Sequence, residues 1–534
     1  MATKATPWDI GRRELLRLAG AAGAGALLRP IRVFGAAATD AKPNIVIFLA
    51  DDLGYAGLSC QGCQDIPTPH IDSLAANGVR FTDGYANHPV CSPSRAGLLS
   101  GRYQHRFGFE HNSGPERFAA GNFGLPRGEP TLAERLKTAG YATGMVGKWH
   151  VGFKEGLRPH ERGFDFHYGF LSGARTYLPG NPDVDPLLRN GQPVTDEKEY
   201  LTDAFAREAV AFIERSKDRP FLLYLAFNAV HGPMEATRAY EERFPGVADP
   251  LRRTHAGMVA AMDDAVGRVL ATLRQHHLEE NTLIVFYSDN GGPTPQTTSS
   301  NAPLRGYKGQ LLEGGIRVPF LTQWKGRLPA GKVYPHMVMG FDVHATALAA
   351  AGVPLPTDKP LDGIDLLPLV RGEAGGVAHD RLFWRAGQQH AVRMGDWKLV
   401  VTRGGAPELY NLSQDIGETT DLAAKEPATL AELQAAYDAW DAQMMPAQWV
   451  RQDARTAVGG RRQGAQPGAP APGAGRLEEA FTAADKDGDG RLTAAEYPQP
   501  GVFREVDRNG DGTATLEEAR AYFRARSRRQ GGEQ

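Results

Sequence analysis

Asn44-Ile45-Val46-Ile47-Phe48-Leu49-Ala50 runs directly into Asp51-Asp52. A run this apolar and β-branched reads as a central strand covered on both faces. Paired carboxylates at the end of such a strand are costly unless solvated, ion-paired or bound to a metal. Similar runs recur. Phe221 to Phe227 leads into Asn228-Ala229-Val230-His231-Gly232-Pro233, and Leu283 to Tyr287 leads into Ser288-Asp289-Asn290-Gly291-Gly292. A weaker run, Tyr141 to Val146, leads into Gly147-Lys148-Trp149-His150. Helical patterns intervene, such as Thr131 to Leu136 and His255 to Leu273. The alternation predicts an α/β domain over about 42–375 with a large, mostly parallel sheet. Ligands of open parallel sheets bind beyond the carboxyl ends of the strands. Two acidic and two basic strand ends are therefore expected on one edge. Asp51, Asp52, Asp289 and Asn290 form a hard-oxygen set suited to Ca²⁺ or Mg²⁺.

Outside that domain the pattern changes. Residues 376–445 contain short alternating runs, Ala391 to Met394, Trp397 to Val401 and Glu408 to Leu412, then a helical stretch from Thr429 to Trp440. They predict a small antiparallel sheet closed by a helix. Residues 446–476 are rich in Gly, Pro, Ala, Arg and Gln and read as a flexible linker. Two EF-hand loops follow within 477–524. Asp485, Asp487, Asp489, Gly490 and Glu496 fill the first, third, fifth, sixth and twelfth positions, and Asp507, Asn509, Asp511, Gly512 and Glu518 repeat them. Arg491 and Thr513 stand at the seventh position, where the loop supplies a backbone carbonyl. The reading is an appended helical module for up to two calcium ions, with a structural rather than switching role.

The 534 residues are 41% hydrophobic and 23% charged, an ordinary globular composition. A net charge of -2 gives no footprint for nucleic acid, so any attraction for an anion must be local. Cys60, Cys63 and Cys91 are too few for a disulfide framework. Cys60-Gln61-Gly62-Cys63 has no second pair to complete a zinc site, which leaves a local disulfide or two idle thiols. At the N-terminus Arg12-Arg13 precede the apolar run Leu15 to Leu28, and small residues suit cleavage near Ala38. Residues 1–38 thus read as an export signal of the twin-arginine kind, the alternative being an ordinary secretory signal. The run is shorter than the roughly 20 residues that span a bilayer. The mature protein is expected outside the cytoplasm, periplasmic or extracellular, with no stable membrane span.

Cys91-Ser92-Pro93-Ser94-Arg95, followed by Leu99 and Gly101-Arg102, resembles the motif that type I sulfatases present for oxidation of cysteine to formylglycine. Ser100 stands where that family more often has Thr. The resemblance spans about 42–445. It extends through Gly147-Lys148-Trp149-His150, Tyr287 to Gly292, Pro303-Leu304-Arg305-Gly306-Tyr307-Lys308 and Glu313-Gly314-Gly315. Arg162-Gly163-Phe164-Asp165 and His255 to Val259 resemble the arylsulfatase B-like, N-acetylgalactosamine-sulfate-type members. It implies an alkaline-phosphatase-like sandwich that hydrolyses sulfate monoesters, and a sulfated carbohydrate or aryl sulfate as substrate. It also implies calcium on Asp51, Asp52, Asp289, Asn290 and the oxidised residue 91. Arg95, Lys148, His150, His231 and Lys308 would surround the sulfate, with His231 or Lys308 as acid to the leaving group. A formylglycine-generating enzyme and the export machinery are the implied partners. Two rivals stay open: a phosphonate or phosphate ester hydrolase of the same superfamily, and a non-catalytic calcium-dependent glycan-binding protein. Tyr103 to Asn112, Gly173 to Tyr177 and Pro293 to Asn301 read as rim loops, with His105 and Asn112 as candidate sugar contacts.

Overall fold

The computed structural model describes residues 41–114, 123–180 and 186–449, and toward the C-terminus 481, 484–485, 489–493, 503–507, 509, 511–520 and 522. The expected export signal, residues 450–476, Asp487 and Glu496 lie outside these residues. The chain divides into two compact units, residues 1–450 and 451–534.

The first unit is built on a sheet with ten strands among the described residues. Asn44–Ala50 lies at its centre, parallel to both Phe221–Ala226 and Thr282–Ser288. Ala142–Lys148 pairs in parallel with Phe221–Ala226, and Phe166–Phe170 with Ala142–Lys148. The edges depart from the mostly parallel expectation. Phe320–Gln323 runs antiparallel to Thr282–Ser288, and the hairpin Leu187–Arg189 and Gln192–Val194 closes the opposite edge. In the hairpin the two-residue turn Asn190-Gly191 can only add an antiparallel strand, whereas the long connection from Ser288 to Phe320 permits either direction. The register levels the four central strand ends: Ala50 lies opposite Ser288, Leu49 opposite Ala226, and Ala226 opposite Gly147.

Both faces of the central strand are covered. Val46, Phe48 and Ala50 join one core with the helices Leu201–Ser216 and Pro250–Gln275, while Ile45, Ile47 and Leu49 join the other with Leu132–Thr138 and Asp342–Ala350. Local sequence fixes the helix starts. Thr131 Oγ1 accepts the Glu134 amide at 3.1 Å while Glu134 Oε2 accepts the Thr131 amide at 2.6 Å, a reciprocal capping box.

Arg381–Ala386, Gln389–Met394, Trp397–Val401 and Pro407–Asn411 form an antiparallel sheet in that order, and Pro427–Asp441 is the closing helix. The chain does not leave this unit at 446. The Met445 amide donates to the His105 carbonyl, the Gln448 amide to that of Gly108, both at 2.9 Å, and Trp449 stacks on Phe123 at 4.9 Å. Aromatic packing thus holds residues 446–449 that composition assigned to the linker.

In the second unit, Arg491–Thr493 and Thr513–Thr515 pair antiparallel, with Leu492 opposite Ala514 above Phe481, Phe503 and Val506. The Gly490 amide donates to Asp485 Oδ2 at 2.9 Å and the Gly512 amide to Asp507 Oδ2 at 3.0 Å. Both glycines have positive φ, the sharp turn expected of these loops. Among the described residues no helix is long and apolar enough to cross a membrane.

Candidate active site

The levelled strand ends deliver the acids and cations to one place. Asp51 and Asp52 leave the central strand, and Asp52 turns with φ of 63°, a left-handed backbone unusual outside glycine. The Asp51 amide donates to the Ala229 carbonyl at 2.9 Å, and the Val230 amide returns a bond to Asp51 at 2.7 Å. Ser288 Oγ and Ser299 Oγ accept the next amides, those of Leu53 at 3.0 Å and Gly54 at 2.9 Å. Neither serine was singled out in the sequence, because each acts on backbone more than 200 residues away.

Cys91 opens the helix Cys91–Ser100, every residue of which is buried. Its Sγ lies 3.4 Å from Asp51 Oδ1 and 3.4 Å from Lys308 Nζ. Arg95, one turn on, reaches Asp289 Oδ2 through Nε at 2.8 Å and the Lys148 carbonyl through Nη1 at 2.8 Å. Lys148 Nζ lies 2.6 Å from Asp51 Oδ2. Lys308 Nζ lies 2.7 Å from Asp52 Oδ1. His231 Nδ1 sits 2.6 Å from the Gly232 carbonyl, which requires the proton there and leaves Nε2 facing Asp52 at 3.7 Å. His150, with φ of 60°, offers its carbonyl to Ser92 Oγ at 2.6 Å and Ser113 Oγ at 3.0 Å. Its imidazole lies against Gly173, where any Cβ would come within 2.7 Å of the ring. Lys308 and His231 are 16% and 22% exposed, whereas Asp51, Arg95 and Lys148 are fully buried, so the first two face the entrance.

Burial raises the Cys91 thiol to about 12 against the pull of Lys148 and Lys308, and a protonated thiol is a weak nucleophile. Burial opposes ionisation of Asp51, but Lys148, His231, Arg95 and Lys308 together hold its carboxyl well below the usual carboxylate range. Burial, with Asp51 beside it, pushes Asp289 up to about 6. Burial, with Lys148 and Arg95 alongside, keeps His150 neutral.

The donor set fits a hard divalent cation. Asp51, Asp52, Cys91 and His231 offer ligand atoms within 4.8 Å of one another. Asp289 Oδ1 adjoins them, accepting the Asp52 amide at 3.3 Å. Asn290 Nδ2 donates to Asp52 Oδ1 at 2.7 Å, while Asn290 Oδ1 is buried with no hydrogen-bond partner. An orphaned carbonyl oxygen beside three carboxylates is what a calcium ligand shell would use. The carboxylates of Asp51, Asp52 and Asp289 already face Arg95, Lys148 and Lys308. A divalent ion would make the site positive, suited to an anion.

His105 and Asn112, read as sugar contacts, bond to the protein itself. His105 is fully buried, bonded at 2.8 Å to the Arg385 carbonyl and packed edge-on to Trp440, so it is no sugar contact. Asn112 Oδ1 instead accepts the Ser92 amide at 3.0 Å, pinning the residue after Cys91. Cys60 and Cys63 are free thiols. Tyr177 was read only as part of a rim loop; its hydroxyl donates to the Asn228 carbonyl and lies 2.7 Å from the His231 carbonyl, supporting the His231 turn.

Known proteins are similar to this chain over much of its length. Residues 43–353 match the sulfatase family, 307–437 match the C-terminal region of N-sulphoglucosamine sulphohydrolase, and 477–497 match an EF hand. The chain is 36% identical to an N-acetylgalactosamine-6-sulfatase of Canis lupus familiaris, over 68% of this chain and 72% of that protein. It is 30% identical to the uncharacterized sulfatase YdeN of Escherichia coli, over 74% and 85% of the two chains. The crystal structure of Ps i-CgsB in complex with k-i-k-neocarrahexaose aligns with a TM-score of 0.74 at 36% identity, covering 78% of this chain and 96% of that one. A motif cysteine between an acid set and a cation set at the strand ends, together with these matches, leads to one assignment: the chain belongs to the sulfatase family of sulfuric ester hydrolases, which generally use calcium and formylglycine.

Proposed function

We propose that this protein hydrolyses sulfate monoesters of a carbohydrate through a formylglycine made from Cys91. The observation that carries the reading is the position of Cys91 Sγ, 3.4 Å from both Asp51 Oδ1 and Lys308 Nζ. The sulfated-carbohydrate class is supported by the N-acetylgalactosamine-6-sulfatase relatives and the neocarrahexaose complex.

Oxidised to the aldehyde by a formylglycine-generating enzyme and hydrated, residue 91 supplies one hydroxyl that attacks sulfur and displaces the sugar oxygen; deprotonation of the second then breaks the C–O bond, releases sulfate and reforms the aldehyde, chemistry that a single Ser or Cys hydroxyl or thiol lacks. Asp51, Asp52, Asp289, Asn290 and residue 91 would hold calcium, which would supply positive charge beside the sulfuryl group. Lys148 and Lys308 bind the sulfuryl oxygens and favour the charge that develops as the S–O bond breaks. Arg95 fixes Asp289 and the Lys148 backbone behind them. His150, neutral and buried, accepts the proton of the second hydroxyl. His231 or Lys308, at the entrance, protonates the departing sugar oxygen. The EF-hand loops would hold up to two further calcium ions through Asp485, Asp487, Asp489, Arg491, Glu496 and Asp507, Asn509, Asp511, Thr513, Glu518. Export to the periplasm or beyond after maturation of Cys91 is supported by Arg12-Arg13 and the apolar run after them.

The test is inorganic sulfate released by matured protein from sulfated sugars, glycans and an aryl sulfate, with Cys91→Ala as the blank. Turnover should fall by at least about 10⁴-fold in the variant, as for removal of a covalent nucleophile. Equal release by Cys91→Ala would refute the mechanism. Release of phosphate from a matched aryl phosphate, with no sulfate from any sulfated donor, would move the protein to the phosphoester branch, and glycan binding without turnover would make it a lectin-like protein.

A further inference from the structure

The segment 305–313 brings Lys308 to the nucleophile position, yet much of what fixes it belongs to the C-terminal subdomain. On the catalytic side the Lys308 amide donates to the Gly292 carbonyl at 3.3 Å and the Gly309 amide to that of Pro89 at 2.9 Å. From the C-terminal side Gln389 Nε2 donates to the Gly309 carbonyl at 3.0 Å. Arg305 Nη1 donates to the Glu418 carbonyl at 2.7 Å and to Tyr410 Oη at 3.1 Å. The Glu313 amide donates to Glu418 Oε2 at 2.7 Å.

Glu418 therefore touches both ends of the segment, one through its backbone and one through its carboxylate. It is fully buried with φ of 51°. A left-handed glutamate is an uncommon backbone state, held only where surrounding contacts over-determine it. Its Oε1 lies 2.8 Å from Lys398 Nζ, and the same ammonium lies 2.8 Å from Glu313 Oε1, so the two carboxylates are clamped by one cation.

We propose that Glu418 is a positioning residue for Lys308: it ties the C-terminal subdomain to Arg305 and Glu313, so that the Lys308 ammonium meets residue 91 and the substrate. The inference rests on Lys308 acting at the sulfuryl group. A strut outside the catalytic domain would then set the geometry of a cation inside it. Displacement of a catalytic group by about 1 Å costs on the order of 10²-fold in rate.

The test is a double-mutant cycle on the matured full-length protein, read as kcat and KM for sulfate release. Glu418→Gly keeps the left-handed turn and the carbonyl that Arg305 uses but removes the carboxylate. It should lower kcat by about 10- to 100-fold with a smaller change in KM. Glu418→Gln, which retains an acceptor for the Glu313 amide, should recover most of that loss. In a Lys308→Ala background Glu418→Gly should cause no further fall, because its effect passes through a group already gone. Arg305→Met releases the other end from the surface and serves if Glu418→Gly does not fold; it should lower kcat several-fold, again only when Lys308 is present. Full additivity of either variant with Lys308→Ala would overturn the proposal. Unchanged kcat in Lys308→Ala itself would overturn the assigned role of Lys308, and the positioning role with it.

Discussion

Among the described residues two buried charge clusters have the same size and opposite purpose. At the strand ends Asp51, Asp52 and Asp289 face Arg95, Lys148 and Lys308. Under the C-terminal sheet Asp83, Glu313 and Glu418 face Arg317, Arg393 and Lys398. The second is satisfied. Arg393 Nη2 lies 2.6 Å from Asp83 Oδ2, Tyr85 donates to Glu313 Oε2 at 2.7 Å, and Lys398 bridges the two glutamates. The first is incomplete. It leaves Asn290 Oδ1 without a donor and keeps Lys308 and His231 partly open to solvent beside a thiol. Burying charge does not make a site; what distinguishes one is charge that the protein alone does not complete.

The largest effect that separates the clusters follows from this incompleteness. Asp289→Ala should lower sulfate release by about 10³-fold or more, because it removes a metal ligand and leaves buried Arg95 with only the more distant Asp51 carboxylate, at 3.6 Å. Thorough chelation of the unmodified protein should cause a comparable loss, reversed by added calcium. Chelation leaving the rate unchanged would mean that the cations alone complete the site, and the contrast between the clusters would fail.

The first cluster was legible in the sequence and the second was not. Asp51-Asp52 and Asp289-Asn290 each end a long apolar run, and open parallel sheets converge such ends on one edge. Lys398 lies inside Trp397–Val401, where alternation allows a polar side chain to face solvent, yet it is fully buried. Of its partners, Glu313 opens the short helix Glu313–Ile316 and Glu418 lies in a loop of the C-terminal subdomain, and nothing local marks a glutamate for left-handed backbone. The mixed edges of the large sheet escaped for the same reason. Short strands such as Val79–Phe81 carry too few residues to show a period, and their direction is set by distant partners.

The satisfied cluster should act on stability rather than on metal chemistry. Lys398→Met leaves Glu313 and Glu418 buried against each other with Arg317 as the nearest remaining cation. Breaking a buried pair from one side costs about 3 kcal/mol or more. The urea midpoint of the variant should fall accordingly, while the calcium concentration that restores activity after chelation stays the same. A midpoint equal to that of the parent would show the cluster to be neutral in stability.

The smallest effect concerns which calcium matters. The chain carries two kinds of oxygen cage, the strand ends and the EF-hand loops, in separate compact units. Both buried clusters lie in the first unit, as does Trp449, packed on Phe109 and Phe123. A protein ending at residue 450 should keep kcat for a small aryl sulfate within about twofold and should still lose activity on chelation, because its transition-state charge is met at the strand ends. Ending the chain at 445 removes the Trp449 stacking, and its thermal midpoint should drop below that of the 450-residue protein. If the 450-residue protein is active but indifferent to chelation, the calcium requirement belongs to the EF-hand unit. The strand-end cluster would then be as self-sufficient as the one beneath the C-terminal sheet.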